Sequence, residues 1–135
     1  MQLIKLKNKN KKRQEIVKKY NDIISNINGV SSTFKTIHND IHPSFHIYAI
    51  LLKKNVIREK VMEKLKDKGI QTSIHYRPIH TFSAYKTQGS NWELPVTEEI
   101  SNRILTLPLF PKMADHHLNY ICESLREVLK ESKKE

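Results

Sequence analysis

One run of eight residues, from Phe45 to Leu52, restricts the fold of this chain more than any other feature of its sequence. Every residue in it except His46 is apolar or aromatic, Pro43 precedes it, and charged and polar residues follow from Lys53 onward. A short run with this composition and these boundaries is typical of a buried strand. The chain is therefore expected to fold around a small sheet.

The first segment predicts a long amphipathic helix that starts at residue 2 and ends at Asn28-Gly29. Its apolar residues recur at helical spacing, with one polar gap from Asn8 to Lys12. They are Leu3, Leu6, Ile16, Val17, Tyr20, Ile23, Ile24 and Ile27. A helix that begins at residue 2 is what a cut through a longer protein would leave, so we expect part of it to lack a packing partner.

Three further helices are expected downstream. Asn55 is predicted to cap the first, which has Ile57, Val61 and Leu65 on its apolar face and ends at Lys68-Gly69. Pro95 opens the second, which runs to about Arg103. The third has an apolar face formed by Leu118, Ile121, Leu125, Val128 and Leu129.

Two other segments are expected to extend the sheet. Residues 70–76 alternate apolar with polar side chains up to Pro78, which is typical of a strand. Residues 104–111 are apolar but contain two prolines, so they can form only an edge strand or an extended segment.

Residues 81–92 predict a surface loop or short helical turns with Phe82, Tyr85 and Trp92 as aromatic anchors. The chain should form one domain over residues 1–135, an α/β sandwich whose small sheet is covered by helices.

Composition excludes several classes of protein. No apolar run approaches the roughly 20 residues that cross a bilayer. A single cysteine, Cys122, cannot form an intramolecular disulfide, and the basic N-terminus lacks the apolar core of a signal peptide, so a cytoplasmic location is expected. Residues 1–20 hold +7 of the net charge of +10. Because this basic stripe lacks interleaved aromatic residues, we expect a solvated helix face rather than a nucleic-acid-binding surface.

Histidines at regular spacing are possible metal ligands. Three of them stand four residues apart: His38, His42 and His46. Pro43 excludes a regular helix there, so they should not share one face, and no metal site is expected. His116 and His117 should point to different sides of a helix and lie at the surface.

The turn from His75 to His80 brings several kinds of polar functional group together. Two imidazoles, a phenol and a guanidinium follow a predicted strand there. Ligands commonly bind at strand ends in α/β folds, and these groups can donate to phosphate or sugar hydroxyls. The candidate site residues are His75, Tyr76 and His80, with His46 and Arg77 as additional candidates. The competing interpretation is a proline-containing turn whose side chains only satisfy backbone groups.

Four segments carry motifs that occur together in one family. They are Gln2-Leu3 with Leu6, Arg13 and Tyr20; Ser44, His46 and Tyr48; Gly69-Ile70 with Thr72, His75-Tyr76, Pro78 and His80; and Leu94-Pro95, Glu98, Ser101 and Arg103 with Leu105, Leu107-Pro108-Leu109 and Pro111. In this order they resemble the C-terminal small domain of the DegT/DnrJ/StrS family of nucleotide-sugar aminotransferases, which depend on pyridoxal phosphate (PLP). Ala114 departs from the family, which often has Thr or Ser before the last helix.

The resemblance implies the α+β small domain of the fold-type I aminotransferase superfamily, with a mainly antiparallel sheet and a long N-terminal helix. In that family a large domain holds PLP through a lysine and an acidic residue, and these residues resemble only the small domain. The chain is thus expected to be a truncated or separately encoded small domain, inactive alone and without catalytic residues. His75, Tyr76 and His80 would lie near cofactor or nucleotide sugar and position the substrate.

Other functions remain open at this point. The resemblance allows a large-domain partner chain, and a homo-oligomer could form through the part of the first helix that is expected to lack a packing partner. A non-catalytic module that binds a nucleotide sugar or docks on a protein is the main alternative. A basic nucleic-acid-binding protein is the less favoured one.

Overall fold

The computed structural model describes residues 2–34, 41, 43–86 and 92–132, with the backbone alone for Gln2 and Lys86. Its helices are α1 (Gln2–Ile24), α2 (Arg58–Asp67), the short α3 (Ser83–Lys86), α4 (Pro95–Ser101) and α5 (Asp115–Glu131). A single 3-10 turn spans Ile79–Thr81. Within the described residues, no helix combines the length and the apolar character needed to cross a membrane.

The sheet has three antiparallel strands in the order β1 (Val30–Ser32), β2 (Tyr48–Leu52) and β3 (Ile104–Leu107). The predicted buried strand is therefore confirmed as the central one over Tyr48–Leu52, whereas Phe45 to Ile47 precede it without forming a strand. Its register pairs Leu52 with Val30 on one side and Ile50 with Leu105 on the other. Because side chains alternate between faces, these residues share one face, and all four are buried.

Helices α1 and α5 form the core together with that face. Helix α5 packs against α1 and α2, and its predicted apolar face is confirmed: Leu118, Ile121, Leu125, Val128 and Leu129 are all buried. The rings of Tyr20 and Tyr48 stack with centroids 4.4 Å apart. Burial raises the pKa of Tyr48 to about 12 and that of the Cys122 thiol to about 12. These groups therefore remain neutral inside the core.

Both buried tyrosines satisfy their hydroxyl groups. Tyr20 donates to the carbonyl oxygen of Pro108 at 2.9 Å, and Tyr48 donates to Asn21 Oδ1 at 2.9 Å. These hydrogen bonds tie the second half of α1 to the sheet and to the segment after β3. A buried polar atom with a partner avoids the desolvation penalty that an unpaired one would carry.

Two predicted helix boundaries were wrong. Helix α1 ends at Ile24, five residues before Gly29, because the chain turns through Ser25–Asn28 and reaches a positive φ of 103° only at Gly29. Helix α2 begins at Arg58 after Ile57, without a side-chain cap, so Asn55 does not cap it.

The predicted end of α2 is confirmed. Gly69 adopts a φ of 73°, a conformation in which glycine carries no steric cost. The N–H of Ile70 donates to Leu65 and that of Gly69 to Lys66, each at 2.8 Å. This is the Schellman arrangement that ends many helices.

The sheet also differs from expectation at its edges. The polar stretch containing Ser31 and Ser32 forms strand β1, which the sequence did not predict. Residues 70–76 do not form a strand, since only Ser73 pairs, with Thr106 of β3. That register places Gln71 opposite Pro108, which has no N–H to donate, and the chain bends at His75. The expectation of an edge strand for residues 104–111 is confirmed, because β3 is an outer strand and ends before Pro108.

Candidate functional site

The turn from His75 to His80 lies beside β3, at the edge of the sheet. Ser73 fixes its beginning, because its backbone exchanges two hydrogen bonds with Thr106, at 2.8 and 3.2 Å. Pro78 starts the 3-10 turn that ends it. The turn is thus attached to the rigid sheet at one point and projects beyond it.

His75 is held by hydroxyl groups. Its Nδ1 lies 3.0 Å from Thr106 Oγ1 and 3.3 Å from Ser73 Oγ. Tyr76 packs edge-on against the imidazole, with centroids 4.8 Å apart, and is 73% exposed. These contacts orient the His75 ring through Nδ1 and leave Nε2 as its second hydrogen-bonding position.

His80 is held by a carboxylate. Its Nε2 lies 3.0 Å from Glu98 Oε1, and the imidazole is only 12% exposed. Glu98 belongs to α4, which is fixed to the sheet by Arg103. That guanidinium donates to the Leu52 carbonyl and to Glu99, each at 2.7 Å, and it holds the pKa of Glu99 below its usual range. The structure therefore joins the turn, α4 and the end of β2 into one unit.

The two additional candidates lie apart from these contacts. The side chain of Arg77 is exposed on the turn. His46 is also exposed. It lies two residues before β2, near the end of β2 at which Tyr48 pairs with Leu107. The turn follows Ser73 toward the opposite end of β3, so the structure does not bring His46 to it.

The other histidines show no metal site in the described part of the chain. His38 and His42 lie outside the described residues, and among those that are described no group of three possible ligands could hold a metal ion. His116 and His117 are exposed as predicted. Their rings lie 4.0 Å apart, however, so the expectation that they point to different sides was wrong.

Sequence reasoning missed the residues that position the site. Thr106 contacts His75 across 31 residues of chain, and Glu98 contacts His80 across 18. In the sequence Glu98 stands only as one residue of the motif from Leu94 to Pro111, and nothing there links it to His80. Neither pairing has a local spacing signal, because each depends on how α4 and residues 73–75 pack beside β3.

Around this turn the segment from Tyr76 to Ile100 exposes large apolar side chains. We call them the outer apolar residues: Tyr76, Ile79, Phe82, Tyr85, Trp92, Leu94, Val96 and Ile100. Trp92 is 64% exposed and Val96 71%. The aromatic anchors predicted at Phe82, Tyr85 and Trp92 thus do not anchor the segment to this chain's own core. Soluble proteins rarely expose so much apolar surface without a partner.

Comparison with known proteins decides the family. Residues 1–126 match the model of the DegT/DnrJ/EryC1/StrS aminotransferase family. The chain belongs to this family. It is 31% identical over 135 residues to the spore coat polysaccharide biosynthesis protein SpsC of Bacillus subtilis, covering 96% of this chain and 34% of SpsC. The chain therefore spans about a third of the length of the curated relatives it matches.

Solved structures show the fold. The aminotransferase TlmJ of Streptoalloteichus hindustanus superimposes with a TM-score of 0.86 at 25% identity, over 96% of this chain and 34% of TlmJ. Spr1654 of Streptococcus pneumoniae, assigned as a sugar aminotransferase and solved in apo, PMP and PLP forms, gives 0.84 at 24% identity over 96% and 33%. The fold is thus that of a fold-type I aminotransferase region, with a small antiparallel sheet and a long N-terminal helix, as predicted.

The family implies PLP, and the described residues do not by themselves fit its needs. An internal aldimine requires a lysine amine in a shielded site. Every lysine whose side chain the structure describes is exposed except Lys64, which is half-buried and paired with Glu131.

Proposed function

We propose that residues 1–135 are the small-domain portion of a PLP-dependent sugar aminotransferase. The reaction would transfer an amino group from glutamate to a nucleotide-linked keto sugar, for surface polysaccharide or amino-sugar synthesis. One observation carries the proposal: a family member that spans a third of its relatives exposes apolar side chains around a fixed histidine turn. Such a surface fits a site that another domain completes.

In this proposal the turn positions substrate. Because hydroxyl groups hold His75 at Nδ1, its Nε2 is available to a phosphate or sugar hydroxyl. The exposed Tyr76 can stack and donate, and Arg77 can pair with an anion. His80 acts through Glu98, which sets its orientation relative to α4. None of these groups is assigned a proton transfer.

The cofactor chemistry is assigned to residues outside this chain. When bound, PLP supplies the aldehyde that accepts the amino group and the ring that stabilises the resulting negative charge. Among the lysines whose side chains the structure describes, all but Lys64 are exposed and Lys64 is paired with Glu131, so none of them offers a free, shielded amine for it. We therefore propose that a large domain, on a partner chain or in the same longer protein, holds PLP and that residues 1–135 alone are inactive.

A chimeric enzyme tests this proposal. In Spr1654, which has been solved in PLP and PMP forms, residues 1–135 would replace the third of the chain that they match, and PLP-to-PMP conversion by glutamate would be followed by absorbance. We expect conversion by the chimera and none by residues 1–135 alone. Conversion by the isolated chain, or a folded and PLP-loaded chimera that is inert, contradicts the proposal. The second result would favour a non-catalytic docking module.

The site residues are tested in the same chimera. His75→Ala should weaken nucleotide-sugar binding about tenfold, as expected for the loss of one hydrogen bond to a charged group. His80→Ala should also weaken it, because the turn loses its contact with Glu98 of α4. His116→Ala, on the exposed side of α5, is the matched control and should leave binding unchanged. Equal affinity in all three variants would remove His75 and His80 from the site.

A further inference from the structure

A second polar region lies on the β1 side of the molecule, whereas the His75–His80 turn follows the other edge strand, β3. It is a groove of about 450 Å³ formed by the turn after α1, the turn after β2 and the end of α5. Its polar lining consists of three cations, Lys53, Arg126 and Lys130, and three carboxamides, Asn26, Asn28 and Asn55. No carboxylate is among the lining residues.

The three cations stand out by their lack of acidic partners. Among the residues that the structure describes, no carboxylate oxygen lies within 4.0 Å of the charged groups of Lys53, Arg126 or Lys130. Two acidic residues of α5 are paired elsewhere: Glu131 pairs with Lys64 of α2, and Glu127 pairs with Lys68, which follows α2. Arg126 and Lys130 are four residues apart on α5, so their like charges repel each other. An anion between them would relieve this repulsion.

The groove is also preformed. The backbone N–H of Lys53 donates to the Gly29 carbonyl at 2.9 Å, which holds the two turns together. The Lys53 ammonium donates to Asn28 Oδ1 at 2.7 Å, so it is oriented while further N–H groups remain. Asn26 is fixed by donating to the Asp22 carbonyl at 2.8 Å. Lys53 and Asn26 are therefore already held in place, which lowers the entropic cost of binding at these two side chains.

We propose that this groove binds a small phosphate-bearing anion with at least two negative charges, such as a diphosphate. Cations and amide donors that converge without a carboxylate are the groups that recognise phosphate. The concave shape and a volume within the range of small-molecule sites favour a compact ligand over a nucleic-acid strand. The site is separate from the histidine turn and does not depend on the aminotransferase proposal.

Titration of the intact chain tests the groove. Pyrophosphate, inorganic phosphate and uridine diphosphate would each be added at constant ionic strength and backbone amide shifts followed by NMR. We expect saturable shifts at Asn28, Gly29 and Lys53. The double variant Arg126→Gln with Lys130→Gln should weaken pyrophosphate binding at least about tenfold. The matched control, Lys11→Gln with Lys12→Gln on α1, removes the same charge and should change it less than twofold.

The outcomes separate the sources of the phosphate. Tighter binding of uridine diphosphate than of pyrophosphate supports the groove as a nucleotide site, and equal binding supports a site for the diphosphate group alone. The proposal is overturned if neither phosphate nor pyrophosphate binds saturably. It is also overturned if the α1 control weakens binding as much as the α5 variant, or if only a single-stranded RNA oligomer binds.

Discussion

The core face of the sheet and the segment from Tyr76 to Ile100 are both rich in large apolar side chains, yet only the first buries them. Ile50 on β2 is fully buried, whereas Ile79 on the histidine turn is 63% exposed. The core side chains follow the periods of strands and helices, and each finds partners within the chain. The outer apolar residues have no such period and face solvent. An apolar segment thus signals burial, but the burying surface can belong to another polypeptide region.

Substituting each of the two isoleucines tests this difference directly and has the largest expected effect. Ile50→Ala should lower the free energy of unfolding by about 2–5 kcal/mol, because it removes buried methyl groups and leaves a cavity. Ile79→Ala makes the same chemical change at an exposed position and should stay within about 0.5 kcal/mol. Urea unfolding of both variants measures the comparison. Equal losses would mean that the segment from Tyr76 to Ile100 is part of this chain's own core.

A smaller effect is expected from a substitution that stabilises the core and leaves the segment from Tyr76 to Ile100 unchanged. Ala114 occupies the N-cap of α5 with extended backbone angles and without a side-chain hydrogen bond. Ala114→Ser should add about 1 kcal/mol to the stability, because serine can accept from an N–H of the first turn. Thermal unfolding checks this. If the stability does not increase, the N–H groups in the first turn of α5 already have other hydrogen-bond partners.

The smallest expected effect concerns helix α4, which connects the histidine turn to the core. Because Arg103 lowers the pKa of Glu99, the ionised carboxylate is favoured in the folded state. The resulting stability is fully present above the ordinary value of 4.5 and is lost as pH falls through the lowered folded pKa. Glu99→Gln should therefore flatten the decline of the urea midpoint on acidification. Glu63→Gln, on the exposed side of α2, is the control, and an equal flattening in it would contradict the assignment.

Local sequence patterns predicted most of the elements that form the core. The apolar period of α5, the strand from Tyr48 to Leu52 and the glycine that ends α2 each depend on neighbouring residues in the sequence, and each was found. Strand β1 was missed because its three residues include two serines, and its existence depends on pairing with β2. Residues 70–76 have a strand-like pattern, but their pairing stops at Pro108, which the pattern does not reveal.

The candidate site was predictable in part. The histidine turn was found from its composition and its resemblance to a family. Its partners Thr106 and Glu98 were not, because they are distant in sequence and meet it only through tertiary packing. The exposure of Trp92 was also missed, since a sequence does not show whether the partner of an aromatic side chain lies in the same chain.

Hydroxyl-radical footprinting of the isolated chain and of the Spr1654 chimera tests the central claim most directly. Both would be oxidised under the same conditions and analysed residue by residue by mass spectrometry. We expect Tyr76, Phe82 and Trp92 to be oxidised in the isolated chain and protected in the chimera. Tyr120, half-exposed on α5, should react equally in both and serves as the internal control. If Tyr76 and Trp92 remain as reactive in a folded chimera as in the isolated chain, the outer apolar residues do not form the surface that completes the enzyme.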